Sequence, residues 1–282
     1  MRGLMFRMNP TRFALKLRKV PLKLVSAAVF IFVLCESGNS QLSNPCTGTI
    51  KDFPEGEFHM ARVIYPTFGG GGSHGCRQPW WAIDYPLAEG HFLPALRRMT
   101  NMSVADDSVQ LELTDERIFL YPFLFLQQPG RGYWDPTPKE AAGLREHLLR
   151  GGFLLIDDLH AENDWYVLEN ALNTVFPDRA IVEIPDSDPI MHSFFDLDRG
   201  IQVPGERHLV RNGFGGEIGA RMEGPQHWRG IYDDKNHLMV AINFNMDMGD
   251  SWEHADDPNY PVSMTAQGYK LGVNYVLYSM TH

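Results

Sequence analysis

An apolar run, residues 153–156, leads directly into a group of acidic residues and a histidine. The members of this group are Asp157, Asp158, His160, Glu162 and Asp164. Carboxylates and imidazoles bind divalent cations in proteins, and they are also common general acids and bases. We therefore expect a functional site here, with Asp158 and His160 as catalytic residues or metal ligands and Asp157 as a ligand-binding residue.

A structural role is the alternative for the same segment. Asn163 or Asp164 has the side chain of a residue that caps a helix, and such a helix would begin at Trp165. Adjacent residues at a strand end point to opposite faces of the sheet. Asp157 and Asp158 are therefore not expected to bind one ligand together.

A second acidic segment, NMDMGDSWEHADDP, contains further candidates. We expect Asp247 and Asp250 to bind a ligand and His254 to be a candidate metal ligand. The spacing of the acids does not match a calcium-binding loop of the D-x-D-x-D-G type. A solvated acidic loop is the structural alternative.

The segment QQPGRGYW supplies three more ligand-binding candidates, Gln128, Arg131 and Trp134. An arginine guanidinium can hold a carboxylate or a phosphate through two parallel hydrogen bonds. An ion pair between Arg131 and the acidic segments is the alternative.

The glycine-rich segment FGGGGSHGC matches G-x-G-x-x-G formally, but four consecutive glycines make the match weak. We expect a flexible loop there, with His74 as a possible metal ligand. The sequence has no G-x-S-x-G, H-E-x-x-H or Walker motif, which argues against the common serine hydrolases, zincins and P-loop enzymes.

Apolar runs that alternate with helical patterns predict the elements that carry these residues. The predicted strands are residues 61–65, 109–113 (an edge strand), 118–126, 153–156, 180–184 and 238–244. The predicted helices are residues 87–99, the segment between Thr137 and Gly151, residues 165–176 and residues 269–280. Pro94 is expected to kink or restart the first helix, and Pro122 is unfavourable inside a central strand.

Strand–helix alternation with apolar strands predicts a mostly parallel sheet that is covered on both faces. Ligands bind such sheets at the carboxyl ends of the strands. Four polar segments are predicted to meet there: residues 66–81, 127–135, 157–164 and 245–257. Residues 185–230 are predicted to be a long irregular excursion.

Residues 1–40 combine seven basic residues with a short apolar run, which is typical of a signal peptide or an N-terminal signal anchor. Residues 41–57 are predicted to be an irregular lead-in, and residues 58–282 a single α/β domain. Cys46 and Cys76 are equally consistent with a disulfide and with two free thiols. We expect an exported, periplasmic or extracellular protein whose only membrane contact is the N-terminal segment.

The net charge argues against one class of partner. The whole chain carries −10; seven of its 25 basic residues and one of its 35 acidic residues precede residue 41, so the remainder is near −16. Phosphate binding needs clustered Lys and Arg, so we expect no nucleic-acid partner.

Six segments together resemble the bacterial family called domain of unknown function 4159. They are ARVIY, PWWAIDYP, YPFLFLQQPGRGYW, LRGGFLLIDDLHAENDW, HLMVAINFNMDMGDSWEHADDP and GYKLGVNYVLYSMTH, and the resemblance covers roughly residues 57–282. It implies a flavodoxin-like three-layer sandwich of the class I glutamine amidotransferase-like group. That group places its nucleophile after a central strand, where this chain has IDDLHAEND and no cysteine, so cysteine-dependent glutamine hydrolysis is not expected.

Taken together, these patterns predict an exported domain that binds a small polar or carbohydrate-like ligand at the strand carboxyl edge. The alternatives are a non-catalytic interaction module of the cell envelope and a metal-dependent hydrolase that uses the acidic and histidine segments. A divalent metal is the only cofactor that the residues suggest. The sequence indicates neither an oligomeric state nor whether the chain is an enzyme.

Overall fold

A computed structural model describes residues 58–73, 76–197, 201–211 and 218–282. The predictions for the export segment, the lead-in, Cys46 and His74 lie outside these residues, and so does any pairing of Cys46 with Cys76. Among the described helices, none is both long and apolar enough to cross a membrane.

The described residues form one seven-stranded sheet and two small antiparallel pairs. In chain order the sheet strands are β1 (Ala61–Ile64), β4 (Val109–Glu112), β5 (Phe123–Gln127), β6 (Phe153–Leu159), β7 (Val182–Glu183), β10 (His227–Tyr232) and β11 (Leu238–Phe244). Their spatial order is β4-β1-β5-β6-β11-β10-β7. The first five strands in this order are mutually parallel, and β10 is antiparallel to both β11 and β7.

Helices cover both faces of the sheet and so produce the predicted three layers. They are α1 (Leu87–Thr100), α2 (Pro138–Leu149), α3 (Ala161–Val175), α4 (Met248–Glu253) and α5 (Val262–Thr281). In β6, Leu154 and Ile156 pack in the core with α2 and α3, whereas Phe153 and Leu155 pack in the core with α1, α4 and α5. This alternation explains why the strand is apolar throughout: it is buried on both faces.

Several predicted elements are confirmed, including the α2 capping box. The Thr137 hydroxyl accepts a hydrogen bond from the Glu140 N–H at 3.3 Å, and the Glu140 carboxylate accepts one from the Thr137 N–H at 2.8 Å. β4 lies at the sheet edge as predicted.

Two prolines bear differently on the predicted elements. Pro94 lies inside α1, which continues to Thr100 as one helix. Pro122 directly precedes β5, and residues 116–120 form a 3₁₀ turn instead of extending that strand. Since proline lacks an N–H to donate to the ladder, the strand begins only after it.

Two segments predicted to be irregular contain strands. The glycine-rich segment forms the antiparallel pair β2 (Gly70–Ser73) and β3 (Cys76–Pro79). The excursion contains the pair β8 (Leu209–Arg211) and β9 (Ile218–Ala220), and its end is the sheet strand β10.

The end of β6 also differs from the prediction, because Asp157 and Asp158 belong to the strand. Ile156 pairs with Ile242 and Leu159 with Phe244, so two aspartates on β6 face the single residue Asn243 on β11. This is a β-bulge, which redirects the side chains around it. Asp158 has a φ of 57°, and such left-handed backbone is unusual for a residue other than glycine.

A buried ion pair fixes the chain that leads into the candidate site. The Arg62 Nε on β1 lies 2.8 Å from Glu89 Oε1 on α1, and both side chains are almost fully buried. The same guanidinium donates hydrogen bonds to the carbonyls of Trp81 and Ile83 at 3.0 and 2.9 Å. Arg62 therefore holds the turn immediately before Asp84 against the sheet.

Arg62→Met should lower the unfolding free energy by about 3–5 kcal/mol, because Glu89 would remain as an uncompensated buried charge. Urea unfolding measures this loss. Adding Glu89→Gln should recover part of it, and the exposed control Arg98→Met should stay within about 0.5 kcal/mol of the parent. A loss in Arg62→Met no larger than that of the control would contradict the structural role of the pair.

Candidate functional site

A pocket of about 450 Å³ lies at the carboxyl ends of the parallel strands. Its lining includes residues from all four segments that were predicted to meet at this edge. The charged and polar lining residues are Trp80, Asp84, Gln128, Arg131, Asp158, Glu206, Arg207, Asp247, Asp250, Glu253 and His254. Acids outnumber basic side chains there, so the pocket favours a cation or a ligand rich in hydrogen-bond donors.

Most of the predicted site residues are brought together here. Gln128, Arg131, Asp158, Asp247, Asp250 and His254 all line the pocket. His160 lies beside it, with its Nε2 3.1 Å from Asp158 Oδ1. Trp134 and Asp157 do not line it: the former is buried in the core shared with α2 and α3, and the latter is fully buried.

Asp157 is held by hydrogen bonds within the protein. Its Oδ1 accepts a bond from Asn243 Nδ2 at 2.8 Å, and its Oδ2 accepts bonds from the N–H groups of Met248 and Gly249 at 2.7 and 2.9 Å. The side chain thus joins β6 to β11 and to the first turn of α4. Burial, aided by the nearby charge of Asp158, raises the pKa of Asp157 to about 7.

The segment after β6 caps its helix in an unexpected way. α3 begins at Ala161, so neither Asn163 nor Asp164 is the capping residue that the sequence predicted. His160 occupies that position, and its backbone N–H donates a hydrogen bond to Asp164 Oδ2 at 3.2 Å. The His160 ring makes no capping bond and stays free for other contacts.

Asp84, Asp247 and Asp250 form what we call the three-aspartate cluster. Each offers one carboxylate oxygen, and these oxygens lie within 4.8 Å of one another. Asp84 and Asp247 are buried, and the Asp250 side chain is 15% exposed. Among the described residues, no lysine or arginine forms an ion pair with any of the three, and the nearest basic group is His254, whose Nε2 lies 4.0 Å from Asp250 Oδ1.

Hydrogen bonds fix the orientation of all three carboxylates. Gln127 Nε2 donates to Asp84 Oδ2 at 2.6 Å, and the Asp250 N–H donates to Asp247 Oδ1 at 2.9 Å. The Glu206 N–H donates to Asp250 Oδ2 at 2.6 Å. Each carboxylate therefore keeps its second oxygen free of these bonds.

Two glycines permit the close approach of these carboxylates. A Cβ on Gly249, in α4, would clash with Oδ2 of Asp84. A Cβ on Gly205 would lie 2.6 Å from Asp247 Oδ2 and 3.1 Å from Asp250 Oδ2. Glycine at these positions is thus part of the geometry of the cluster.

The pKa of the Asp84 carboxyl is raised well above its usual value, by burial first and then by the charges of Asp250 and Glu253. The pKa of the Asp247 carboxyl is raised in the same direction, by burial first and then by the charges of Asp158 and Asp250. Crowded, desolvated carboxylates disfavour their own ionisation. A bound cation would remove that penalty.

Arg131 and Arg207 are the two arginines of the pocket. The Arg131 guanidinium lies over the Trp80 ring, 5.4 Å from its centroid, in a cation–π arrangement. Arg207 comes from the excursion, and its Nη2 lies 3.9 Å from Asp158 Oδ1. Both can contact the anionic or hydroxyl groups of a small ligand.

Sequence reasoning missed five residues near this site: Asp84, Glu206, Arg207, His208 and Glu223. The last four lie in the excursion, whose sequence has no helical or strand periodicity from which the place of these side chains could be predicted. The turn signal Pro204-Gly205, followed directly by charged residues, was the one available clue. His192 and His227 pair with Asp196 and Glu183 and do not line the pocket.

The raised pKa values of Asp84, Asp157 and Asp247 predict a pH dependence of stability. The folded protein retains protons that the unfolded chain has released, so the unfolding free energy should fall as pH rises from about 4 to 7. In buffer with a chelator, the unfolding free energy measured in urea should fall less over this pH range for Asp247→Asn than for the parent. Equal slopes for parent and variant would show that Asp247 ionises normally.

Comparison with known proteins gives two results. No curated protein matches this chain. The model of a family described as a domain of unknown function (DUF4159) matches residues 59–280, which is most of the chain and nearly all of the described domain. The chain therefore belongs to the domain of unknown function 4159 family.

Proposed function

We propose that this chain binds a divalent cation at the three-aspartate cluster and, together with it, a small polar ligand in the adjoining pocket. The observation that supports this most is the approach of three largely buried carboxylates to within 4.8 Å, with no lysine or arginine paired to them among the described residues. Burying unpaired charge is costly unless a counter-ion is present. Oxygen-only ligands suit hard cations such as Mg²⁺, Mn²⁺ and Ca²⁺.

The ligand is a small polar or carbohydrate-like molecule. The pocket volume of about 450 Å³ is in the range of small-molecule sites. Carboxylates accept hydrogen bonds from hydroxyl groups, while Arg131 and Arg207 donate them. On the basis of the basic and apolar N-terminal sequence, we place this function outside the cytoplasm.

Hydrolysis of the bound ligand is a second candidate function. It is favoured by the 3.1 Å contact between Asp158 and His160 beside the pocket, since a carboxylate-oriented imidazole can accept a proton from water. A metal-bound water is a stronger nucleophile at neutral pH than free water. A non-catalytic module of the cell envelope would instead bind the ligand and release it unchanged.

Thermal unfolding with Mn²⁺ or Mg²⁺ tests cation binding directly. A cation at one hundred times its Kd should stabilise the parent by about 2.7 kcal/mol. Asp247→Asn should lose this stabilisation, because it removes one ligand charge. The matched control Asp196→Asn changes a side chain that is 94% exposed and should respond like the parent. Absence of a cation-dependent shift in the parent would refute the proposal.

Gly249→Ala tests the geometry of the cluster without altering its charge. The new methyl group should displace the Asp84 carboxylate and weaken cation binding, as measured by titration calorimetry. Gly90→Ala is the control, since a Cβ at this α1 position meets nothing within 4 Å. It should leave cation binding unchanged and stabilise the fold by up to about 1 kcal/mol. Equal cation affinities for the two variants would show that Asp84 is not a ligand.

A further inference from the structure

A second cluster, formed by His160, His208 and Glu223, adjoins the three-aspartate cluster, since one ligand atom each of Asp158, His160 and Asp247 lie within 4.8 Å of one another. One nitrogen from each imidazole and one Glu223 oxygen lie within 4.8 Å of one another. The two rings are nearly in contact, with centroids 4.4 Å apart. We call this group the histidine cluster. It differs from the first cluster in chemistry, because two of its three donors are nitrogens.

Glu223 connects the two imidazoles. Its Oε2 lies 3.3 Å from His160 Nδ1, and its Oε1 lies 3.0 Å from His208 Nε2. In a tetrahedral site with bonds of about 2.0–2.1 Å, neighbouring ligand atoms are about 3.3 Å apart. Both separations are near this value; they involve different oxygens of Glu223, and the shorter one is a hydrogen bond in this structure.

The other nitrogen of His160 has the environment expected of a metal ligand. Its Nε2 lies 3.1 Å from Asp158 Oδ1, and the side chains of both residues are only 2% exposed. Metal-binding histidines commonly direct their second ring nitrogen to a carboxylate, which fixes the ring and raises its basicity. Asp158 would thus orient His160 without binding the ion itself.

Buried atoms without partners provide an independent observation. Neither His160 nitrogen has a hydrogen bond of acceptable geometry, and the same is true of His208 Nδ1 and Asp158 Oδ1. Buried polar atoms in native proteins nearly always have partners. His160 is 4% exposed, so water has little access to its ring. The Nδ1 atom of His160 lies near His208 and Glu223, and an ion bound among these three residues would accept its lone pair.

The exposure of Glu223 leaves a path for an ion to enter the histidine cluster, and the donor atoms determine which class of ion would bind. The Glu223 side chain is 38% exposed, which leaves one side of the cluster open to solvent. Arg207 Nε lies 3.4 Å from His208 Nε2 and would have to move away when an ion binds there. Imidazole nitrogens favour zinc and related transition metals over Mg²⁺ or Ca²⁺.

We propose that His160, His208 and Glu223 bind one transition-metal ion of the zinc class in a tetrahedral site, with Asp158 as a positioning residue and one coordination position left for water or a ligand. This site uses none of the three aspartates, although one ligand atom of His160 lies within 4.8 Å of one of Asp247. The two sites differ in donor chemistry and require different ions. Either proposal can fail without the other.

Titration of the whole chain with Co²⁺ in the presence of excess Mg²⁺ tests the proposal, because tetrahedral Co²⁺ has a strong visible absorption that octahedral Co²⁺ lacks. One equivalent should produce this absorption, and Zn²⁺ should displace it. His208→Ala and the isosteric Glu223→Gln should abolish it. Asp158→Asn should retain the spectrum with affinity reduced about 10–100-fold.

His227→Ala is the matched control, because His227 forms a similar pair with Glu183 at 3.0 Å but lies outside the cluster. It should bind Co²⁺ like the parent. The proposal is overturned if the parent gives only an octahedral spectrum, or if Glu223→Gln and His208→Ala, shown to be folded by circular dichroism, bind as tightly as the parent. Mg²⁺-dependent stabilisation should persist in Glu223→Gln, which separates failure here from failure of the three-aspartate cluster.

Discussion

The buried carboxylate of Asp157 is the interaction on which the rest of the site depends. It lies inside the β6 bulge, where two aspartates face Asn243, and it accepts three hydrogen bonds from β11 and α4. α4 carries Asp250 and begins directly after Asp247, so the position of both follows from this contact. Asp158, the next residue, lines the pocket, so one pair of adjacent acids serves two purposes. Asp157 builds the scaffold, and Asp158 faces the pocket.

A second buried contact positions the opposite wall. Arg62 joins β1 to Glu89 and to the carbonyls of the turn that precedes Asp84. Asp84 then meets α4 at Gly249, where a Cβ would clash with the Asp84 carboxylate. The cluster of carboxylates is thus forced together by interactions outside it. Such crowding lowers the unfolding free energy in the absence of a counter-ion. A loss of this kind is more typical of a binding site than of a purely structural region.

Much of the fold could be predicted from local patterns in the sequence. The apolar strands, the α2 capping box and the meeting of four segments at one sheet edge all follow from local patterns, as does the proximity of Asp158, His160 and Asp247. The bulge could not be predicted, since it depends on pairing between β6 and β11, and so Asp157 was assigned to the ligand. His208 and Glu223 were missed because they lie in a connection without periodic structure, where only tertiary packing decides which residues reach the site.

That connection, between β7 and β10, has a consequence for how the site can diversify. It contributes Glu206, Arg207, His208 and Glu223, while the turn before α1, the strand ends and the first turn of α4 contribute the aspartates. Connections accept insertions and replacements far more readily than buried strands do. Substitutions in this connection can therefore change one side of the pocket lining while the sheet and the helices on it keep the other side in place.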